Sequence, residues 1–414
     1  MSGAGNSRKE GLPRSLPPSL VALWTAALIV LVGGLVTARH LPGEGFTALI
    51  QFSEEFTPRT LPALRETPHH VRPSGYDGQF YAQLALDPAL RDPVALQKAL
   101  DAPAYRARRV LMPALAAALG LGSPARTLDA YALLNPLFWL ALVALLLRAC
   151  RPLSLPAMAC VTAVALSGGA VESIRLALTD LPAATLLLAA ALLVMADRPK
   201  PLWAGLLGAL AGLARDTAAA AAGFLLLPVG EWITAKESPS RRALFLRWAG
   251  AIALAALPVL AWAAYVAHVF PGSVGQGSGA HDNFAFPLAA ALARAAAACH
   301  ELSRPATPLF GQETFALWTL LGLHLQALYL LLHRRPQEAL WRMALPFALL
   351  IWFLGPAVWS GYLAVARALL PLTVAFNLLL LPSLRDKSPQ AWGWFTAGNF
   401  FSLFGIIKFS TYVS

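Results

Sequence analysis

Residues 75–88 read GYDGQFYAQLALDP, a polar and aromatic stretch with two acidic residues in an otherwise apolar chain. The stretch follows the first long apolar run and lies within the longest part of the sequence that could not cross a membrane. It therefore belongs to a segment outside the bilayer, between segments that can span it. If the protein performs chemistry, we expect Asp77 of this stretch to lie near the reacting atoms.

The composition places the chain in a lipid bilayer. Of its 414 residues, 57% are hydrophobic and 13% are charged, whereas a soluble protein carries about 25% charged residues. Apolar runs of about 17 to 25 residues, the length that crosses a bilayer, recur along the chain. We therefore predict one polytopic membrane domain over residues 1–414. The net charge of +11 then marks the cytoplasmic ends of spans, and we expect no nucleic-acid partner.

The apolar runs predict an all-α bundle of about ten or eleven transmembrane helices. The first run is longer than the apolar core of a cleavable signal peptide, so we expect a retained anchor with a cytoplasmic N-terminus. The predicted spans are residues 20–38, 127–147, 154–171, 180–196, 201–214, 217–234, 246–268, 314–332, 340–360, 366–382 and 391–409.

The basic residues decide the predicted orientation, because Lys and Arg concentrate in cytoplasmic loops. In this layout they fall on the side of the N-terminus: Arg148, Arg151, Arg198, Lys200, Lys236, Arg241, Arg242, Arg247, Arg334, Arg335, Arg385 and Lys387. The opposite, periplasmic side receives two long loops, residues 39–126 and 269–313. Residues 107–121 of the first loop hold an apolar run too short to span, so we predict amphipathic juxtamembrane helices there.

Ionisable residues within or beside the predicted spans are candidates for a functional site, because a charge in the bilayer costs about 2.5 to 3.5 kcal/mol. Glu172 and Arg175 are three residues apart and can pair on one helical face. Asp180 stands two residues before Pro182, where it can either cap a helix or belong to the site.

Arg215 and Asp216 separate two alanine-rich runs, and Arg367 precedes a further span. In the simpler interpretation Arg215 faces the C-terminal dipole of one helix, Asp216 caps the next, and Arg367 extends to the lipid headgroups. However, residues 201–214 form only about 21 Å of helix against a bilayer core of about 30 Å. We therefore expect these residues to lie in a recessed cavity that opens outward.

Such a cavity suits a lipid-borne phosphate. Guanidinium groups stay charged and bind phosphate oxygens through paired hydrogen bonds. Carboxylates would repel that ligand, so one of them needs another task, and a carboxylate can remove the proton of an acceptor hydroxyl. We expect no cofactor; a divalent metal held by His69 and His70, or by His281 and Asp282, is the alternative.

The order of these features resembles the GT-C superfamily of polytopic membrane glycosyltransferases, and most closely bacterial proteins tied to cell-surface glycopolymer formation. The resemblance rests on one span, an external acidic loop and many further spans. The loop motifs are Tyr76-Asp77-Gly78-Gln79-Phe80-Tyr81, Leu86-Asp87-Pro88 and Tyr105-Arg106-Ala107-Arg108-Arg109-Val110-Leu111-Met112-Pro113. The later signals are Ser167-Gly168-Gly169, Thr179-Asp180, Leu213-Ala214-Arg215-Asp216-Thr217 and Arg367.

The resemblance implies a reaction and a catalytic residue. It implies transfer of a sugar from a polyprenyl-phosphate donor at the outer face of the bacterial inner membrane, with inversion at the anomeric carbon. The acceptor would be a cell-envelope glycan, lipid or protein. The catalytic acid of the first external loop maps to Asp77. Many members carry two adjacent acids there, whereas Gly78 follows Asp77, which favours a lone general base over a metal ligand.

We therefore predict a glycosyltransferase in which Asp77 removes the acceptor proton while Arg215 and Arg367 hold the lipid phosphate. The segment from residue 270 to residue 313 would cover the site. The other candidate site residues are Arg109, Arg175, Tyr76, Gln79, Tyr81, Glu172, Asp180 and Asp216. This hypothesis requires Asp77, Arg215 and Arg367 to line one cavity.

Two other functions and one structural alternative stay open. A flippase for lipid-linked sugars could use the same arginines, and a non-catalytic scaffold for glycopolymer assembly would need none of them. The stretch around Asp77 could instead form a short amphipathic helix on the membrane surface, capped by Asp77 or Ser74.

Overall fold

The structure is a computed structural model that describes residues 15–227, 240–271, 282–304, 311–402 and 405–407, without the side chains of residues 240–242 and 362. Within these ranges the regular secondary structure is helical except for two short parallel strands, β1 (Phe52–Ser53) and β2 (Val71–Arg72). The predicted all-α bundle is confirmed. Lys236, His281 and parts of the predicted spans 217–234 and 391–409 lie outside the described residues.

The helices fall into an N-terminal group and the remaining bundle. The first group contains α1 (Pro18–Thr37), α2 (Pro62–Arg65), α3 (Gly78–Leu86), α4 (Pro93–Ala99), α5 (Pro103–Ala107), α6 (Leu111–Gly120) and α7 (Pro124–Ala149). The second contains α8 (Leu155–Ala165), α9 (Gly168–Arg175), α10 (Asp180–Val194), α11 (Pro201–Ala214), α12 (Asp216–Leu225), α13 (Ser240–Val269), α14 (Ala289–Leu302), α15 (Gln312–Leu332), α16 (Ala339–Leu350), α17 (Pro356–Trp359), α18 (Tyr362–Ala368), α19 (Leu370–Arg385) and α20 (Pro389–Asn399).

Four described helices are long and apolar enough to cross a membrane: α1, α7, α13 and α15. Helices α8 and α9 meet the same criterion together but bend by 40° at the break between them. The predicted span 154–171 is thus a broken helix. Five further apolar helices have 10–17 residues: Leu111–Gly120, Asp180–Val194, Pro201–Ala214, Ala339–Phe353 and Leu370–Arg385. The described chain therefore holds four or five spans by length and composition, and the predicted ten or eleven also count shorter helices.

The predicted span over residues 340–360 is wrong in its second half. Helix α16 ends at Leu350, a 3₁₀ turn covers Ile351–Phe353, and α17 begins at Pro356. Gly355 is extended, and Pro356 has no N–H to continue a helix but suits the first position of a new one. Arg367 likewise lies in the short α18, not in the helix that follows it.

Helix α3, which follows Asp77, is enclosed by α7 and by other parts of residues 39–126, the predicted first external loop, which we term the first external segment. Residues 78–85 are all buried, so the alternative of a helix on the membrane surface is wrong. The Gln79 side chain accepts a hydrogen bond from the Ser53 N–H at 3.1 Å and thereby ties α3 to β1. Because this bond satisfies a buried backbone donor, the Gln79 side chain has a structural role.

The bundle has a basic end and an end that carries the first external segment. At the basic end the Leu16 N–H donates to the Leu153 carbonyl at 2.7 Å, and Arg385 donates to backbone carbonyls of the same loop. At the other end the indole of Trp262, in α13, donates to the Ala107 carbonyl at 2.8 Å. The start of α1 thus lies at the end of the bundle that holds these basic loops.

Candidate active site

One cavity of about 320 Å³ opens at the end of the bundle that carries the first external segment. Its lining residues are Tyr76, Asp77, Tyr105, Arg106, Arg109, Arg215, Asn283, Ala357, Val358, Ser360, Ala364, Arg367 and Ala368. The cavity brings Asp77, Arg215 and Arg367 together, which is the arrangement that the glycosyltransferase hypothesis requires. Arg106 and Arg109 line it as well, so four guanidinium groups surround one carboxylate.

Asp77 occupies the N-cap position of α3, but its carboxylate does not cap the helix. Arg106 Nη2 donates to Asp77 Oδ1 at 2.9 Å, and Arg367 Nη2 donates to Oδ2 at 3.5 Å. Burial acts to raise the pKa of Asp77, but Arg106 and Arg367 outweigh it and hold this pKa well below its ordinary value of 3.8. Asp77 is therefore ionised at physiological pH, and its side chain is 26% exposed.

Arg106 contacts Asp77, yet the sequence did not single it out. Its Nε and Nη2 donate to the two carboxylate oxygens of Asp101 at 2.8 and 2.6 Å, and its guanidinium lies 4.9 Å from the centre of the Phe80 ring. The motif over residues 105–113 contains three arginines. No feature of the sequence distinguishes the one that faces Asp77.

Asp180 connects Arg215 and Arg367, the two arginines that the hypothesis assigns to the lipid phosphate. Its side chain is only 1% exposed, and it forms ion pairs with Arg215 through Oδ1 and with Arg367 through Oδ2, the latter at 3.1 Å. Thr179 is the N-cap residue of α10, and no side chain caps that helix. The capping interpretation of Asp180 is therefore wrong, because the carboxylate is used in tertiary ion pairs.

These contacts form an alternating series of charges, which we term the ion chain: Asp101, Arg106, Asp77, Arg367, Asp180 and Arg215. Three carboxylates and three guanidinium groups make the ion chain electrically neutral. Its members come from the first external segment, α10, the break between α11 and α12, and α18. The ion chain therefore forms only when these parts pack together, and breaking a buried pair costs about 3 to 5 kcal/mol.

A second ion pair borders the cavity. Arg109 Nε donates to Asp216 Oδ1 at 2.9 Å, and its two terminal nitrogens donate to the hydroxyls of Tyr81 and Tyr105, each at 2.5 Å. Burial raises the pKa of Tyr81, so its hydroxyl stays neutral. Asp216 begins α12, where a negative charge also suits the helix dipole. Arg109 is thus held at the cavity wall, with Tyr81 behind it.

Six candidate residues do not line the cavity: Gln79, Tyr81, Glu172, Arg175, Asp180 and Asp216. Tyr81, Asp180 and Asp216 each bond to an arginine that does line it. Arg175 and Glu172 form the predicted pair within α9, with two hydrogen bonds of 2.7 Å, and both are buried. The prediction of this pair is confirmed. Because the two charges meet each other away from the cavity lining, we leave Arg175 out of the donor site proposed below.

Two cavity-lining arginines retain unused donors. Among the described residues, the buried Nε atoms of Arg215 and Arg367 and the hydroxyl of Thr217 have no hydrogen-bond partner. A buried donor without a partner is costly, so such atoms indicate where a ligand oxygen can bind. A second cavity of about 230 Å³ shares Arg109 and Arg215 with the first and adds the apolar residues Phe284, Leu350 and Leu354.

Two histidines of the first external segment, His69 and His70, lie within bonding distance of protein oxygens. His69 Nδ1 lies 2.7 Å from the Thr67 carbonyl oxygen, and His70 Nδ1 lies 3.2 Å from Glu44 Oε2. Across the described ranges, no group of three or more His, Cys, Asp or Glu side chains could hold a metal ion. His281 lies outside those ranges, and the expected absence of a cofactor stays a prediction.

Comparisons with protein-family models, with curated proteins and with solved structures find no match for this chain. The interpretation of the cavity therefore rests on its own residues and their geometry. The residues that sequence reasoning missed, Tyr105, Arg106 and Asn283, are recognised only through their place in the cavity lining.

Proposed function

We propose that this chain is a GT-C-type glycosyltransferase of the bacterial inner membrane, which transfers a sugar from polyprenyl phosphate to a cell-envelope glycan, lipid or protein. The observation that carries the proposal is the cavity, in which Asp77 lies among four guanidinium groups at one end of an apolar helical bundle. A carboxylate and phosphate-binding cations within one cavity supply the two functions that transfer from a phosphate donor requires. The proposed reaction uses no cofactor.

Arg215 and Arg367 would bind the donor phosphate. Both are held by Asp180, and each keeps an unpartnered Nε among the described residues. These Nε atoms can bind phosphate oxygens directly. Because the ion chain is neutral, a phosphate that also takes the terminal nitrogens of Arg367 would displace a carboxylate from them. Asp77 is the partner more easily displaced from Arg367, at 3.5 Å against 3.1 Å for the buried Asp180.

Donor binding would also prepare the base. In the resting protein Arg106 and Arg367 favour the charged form of Asp77 and make it a weak base. When a phosphate oxygen takes the place of Asp77 on Arg367, one of these two positive charges is shared with the ligand. The proton affinity of Asp77 then rises at the moment when the acceptor must lose a proton.

The reaction is a single displacement, which inverts the anomeric carbon. The acceptor oxygen forms a bond to that carbon as the bond from the carbon to the phosphate oxygen breaks. The acceptor proton passes to Asp77, and polyprenyl phosphate leaves with the bonding electron pair. Arg215 and Arg367 stabilise the charge on the leaving phosphate. Tyr76 accepts a hydrogen bond from Arg367 at 3.1 Å and helps to position it.

The cavity would face the periplasm. The basic loops lie at the opposite end of the bundle, and such loops remain in the cytoplasm. Helix α11 ends at Ala214 after 14 residues, a rise of about 21 Å against a bilayer core of about 30 Å. The cavity would therefore be recessed below the outer surface, where a lipid-borne phosphate can reach it.

The test is transfer of labelled sugar by the purified protein in lipid nanodiscs, with a panel of polyprenyl-phosphate sugars and envelope acceptors. Asp77→Asn should abolish transfer. Asp92→Asn is the matched control, because Asp92 is an exposed acid of the same segment that caps α4, and Asn caps a helix equally well. Wild-type transfer by Asp77→Asn would overturn the assignment of the base.

The same preparations separate the alternative functions. Movement of a lipid-linked sugar across the bilayer of proteoliposomes, without a new glycosidic bond, would favour a flippase. Glycopolymer assembly in cells that survives both Asp77→Asn and Arg215→Ala would favour a scaffold.

A further inference from the structure

The segment from Phe284 to Ala297 has a composition unlike that of a water-exposed loop. It lies beyond the end of α13 and before α15, at the same end of the bundle as the cavity. Among its fourteen residues only Arg294 is charged, and Arg294 forms an ion pair with Glu313. The segment therefore offers almost no charge to water.

The start of this segment is fixed to the cavity wall. The Ala285 N–H donates to the Phe353 carbonyl at 2.9 Å, and the Gly355 N–H donates to the Asn283 carbonyl at 2.7 Å. A Cβ on Gly355 would lie 2.7 Å from the backbone nitrogen of Phe284, so only glycine allows this approach. Asn283 lines the first cavity and Phe284 the second. The segment thus begins beside the first cavity, next to Asn283, and borders the second cavity through Phe284.

The outer face of the segment is apolar and exposed. Phe286 is 82% exposed and Leu292 is 65% exposed, whereas the face of α14 that contains Ala290, Ala291 and Ala298 is buried. The other exposed residues of the segment after Phe284 are Pro287, Leu288 and alanines, none of them charged. An uncharged helical face of this extent is typical of contact with lipid rather than water.

The neighbouring helices identify lipid as the partner. The segment connects two candidate spans, α13 and α15, whose own exposed residues include Tyr265 and Trp318, and aromatic residues of this kind mark membrane interfaces. The apolar surface of the segment is therefore continuous in sequence with helices that face the bilayer. On the first external segment, α6 similarly exposes Leu115 and Leu119.

We propose that residues 284–297 lie in the outer leaflet beside the candidate site, with Phe286 and Leu292 inserted among the acyl chains. A helix of this kind rests about 5 to 10 Å into the boundary between headgroups and acyl chains. The inference rests on the membrane location of the bundle and not on the transfer reaction. Its test therefore uses no activity measurement, and its failure would leave the proposed function untouched.

The experiment measures spin-label accessibility in nanodiscs of phosphatidylglycerol and phosphatidylcholine. Cys299→Ser removes the exposed cysteine, and the buried Cys150 and Cys160 remain. Single cysteines then replace Phe286 and, in a second protein, Leu292. The two references replace Leu257, 62% exposed within α13, and Arg91, an exposed residue of the first external segment.

Labels at 286 and 292 should collide with oxygen more than with a water-soluble nickel chelate, as the label at 257 does. The label at 91 should show the opposite preference. Nickel accessibility at 286 and 292 equal to that at 91 would overturn the proposal, because it would place the segment in water. Labels that neither reagent reaches would overturn it too, since they would show that protein covers this face. If one variant does not fold, the other decides the question.

Discussion

Asp180→Asn tests whether the ion chain positions the arginines of the candidate site. Asp180 is 1% exposed and compensates both Arg215 and Arg367. An amide of the same shape keeps the packing but removes the charge, and its NH₂ group cannot accept from a guanidinium. Breaking a buried ion pair costs about 3 to 5 kcal/mol. Because Arg215 lines the cavity and can turn toward solvent, we expect a loss of stability near the lower limit, about 3 kcal/mol.

A phosphate should restore much of that loss. In Asp180→Asn the two guanidinium groups lack their shared carboxylate, so a phosphate in the cavity supplies the missing negative charge. A ligand present at 100 times its dissociation constant stabilises a protein by about 2.7 kcal/mol. The variant should therefore bind polyprenyl phosphate more tightly than the wild type and gain more stability at the same ligand concentration.

The assay is thermal unfolding of the purified proteins in detergent, with increasing polyprenyl phosphate. Glu172→Gln is the matched control, because it removes the carboxylate of another buried ion pair, that with Arg175, away from the cavity lining. It should be destabilised as well, but it should gain no more from polyprenyl phosphate than the wild type does. Equal gains in the two variants, or an unchanged midpoint in Asp180→Asn, would refute the positioning role.

Three further predictions concern the site and its supports. Asp77→Asn should lose transfer but bind the donor more tightly, because the substitution removes a negative charge beside the phosphate. In equilibrium binding the free energy of donor binding should improve by about 1 kcal/mol, roughly fivefold in Kd. Weaker binding would contradict the proposed site. The ion pairs that lower the pKa of Asp77 stabilise the folded protein fully above pH 3.8, and this stabilisation is lost as the pH falls through the pKa of the folded state. Because Asp77 is then ionised throughout, kcat/KM should show no decrease on the acid side between about pH 5 and 8. A decrease near neutral pH would assign the general base to another residue. Gly169→Ala places a Cβ 3.0 Å from the Cα of Arg367, and the resulting shift of α18 should lower transfer by about 10- to 100-fold with unchanged helix content by circular dichroism; full activity would show that α18 adapts.

The sequence predicted those helices and pairs that depend only on residues near each other along the chain. Helix α11 covers the predicted residues 201–214, because Pro201 suits a first helical position and the charged pair after Ala214 ends the apolar run. The pair of Glu172 and Arg175 was predictable for the same reason, since a spacing of three residues places both side chains on one helical face. The broken helices were not predictable from apolar length, which does not report a bend.

The ion chain shows what the sequence could not decide. Local spacing offered Asp180 either a role as a helix cap or a place in the site, but it did not indicate a partner, and the carboxylate bonds to Arg367, 187 residues away. The motif over residues 105–113 likewise offered three arginines, of which only Arg109 was a candidate, and only the packing of α5 against α3 places Arg106 on Asp77. The sequence by itself determined an apolar all-α bundle and a short list of charged residues. The tertiary structure decided their partners, because a buried charge pairs with whichever opposite charge the packing of distant segments brings within reach.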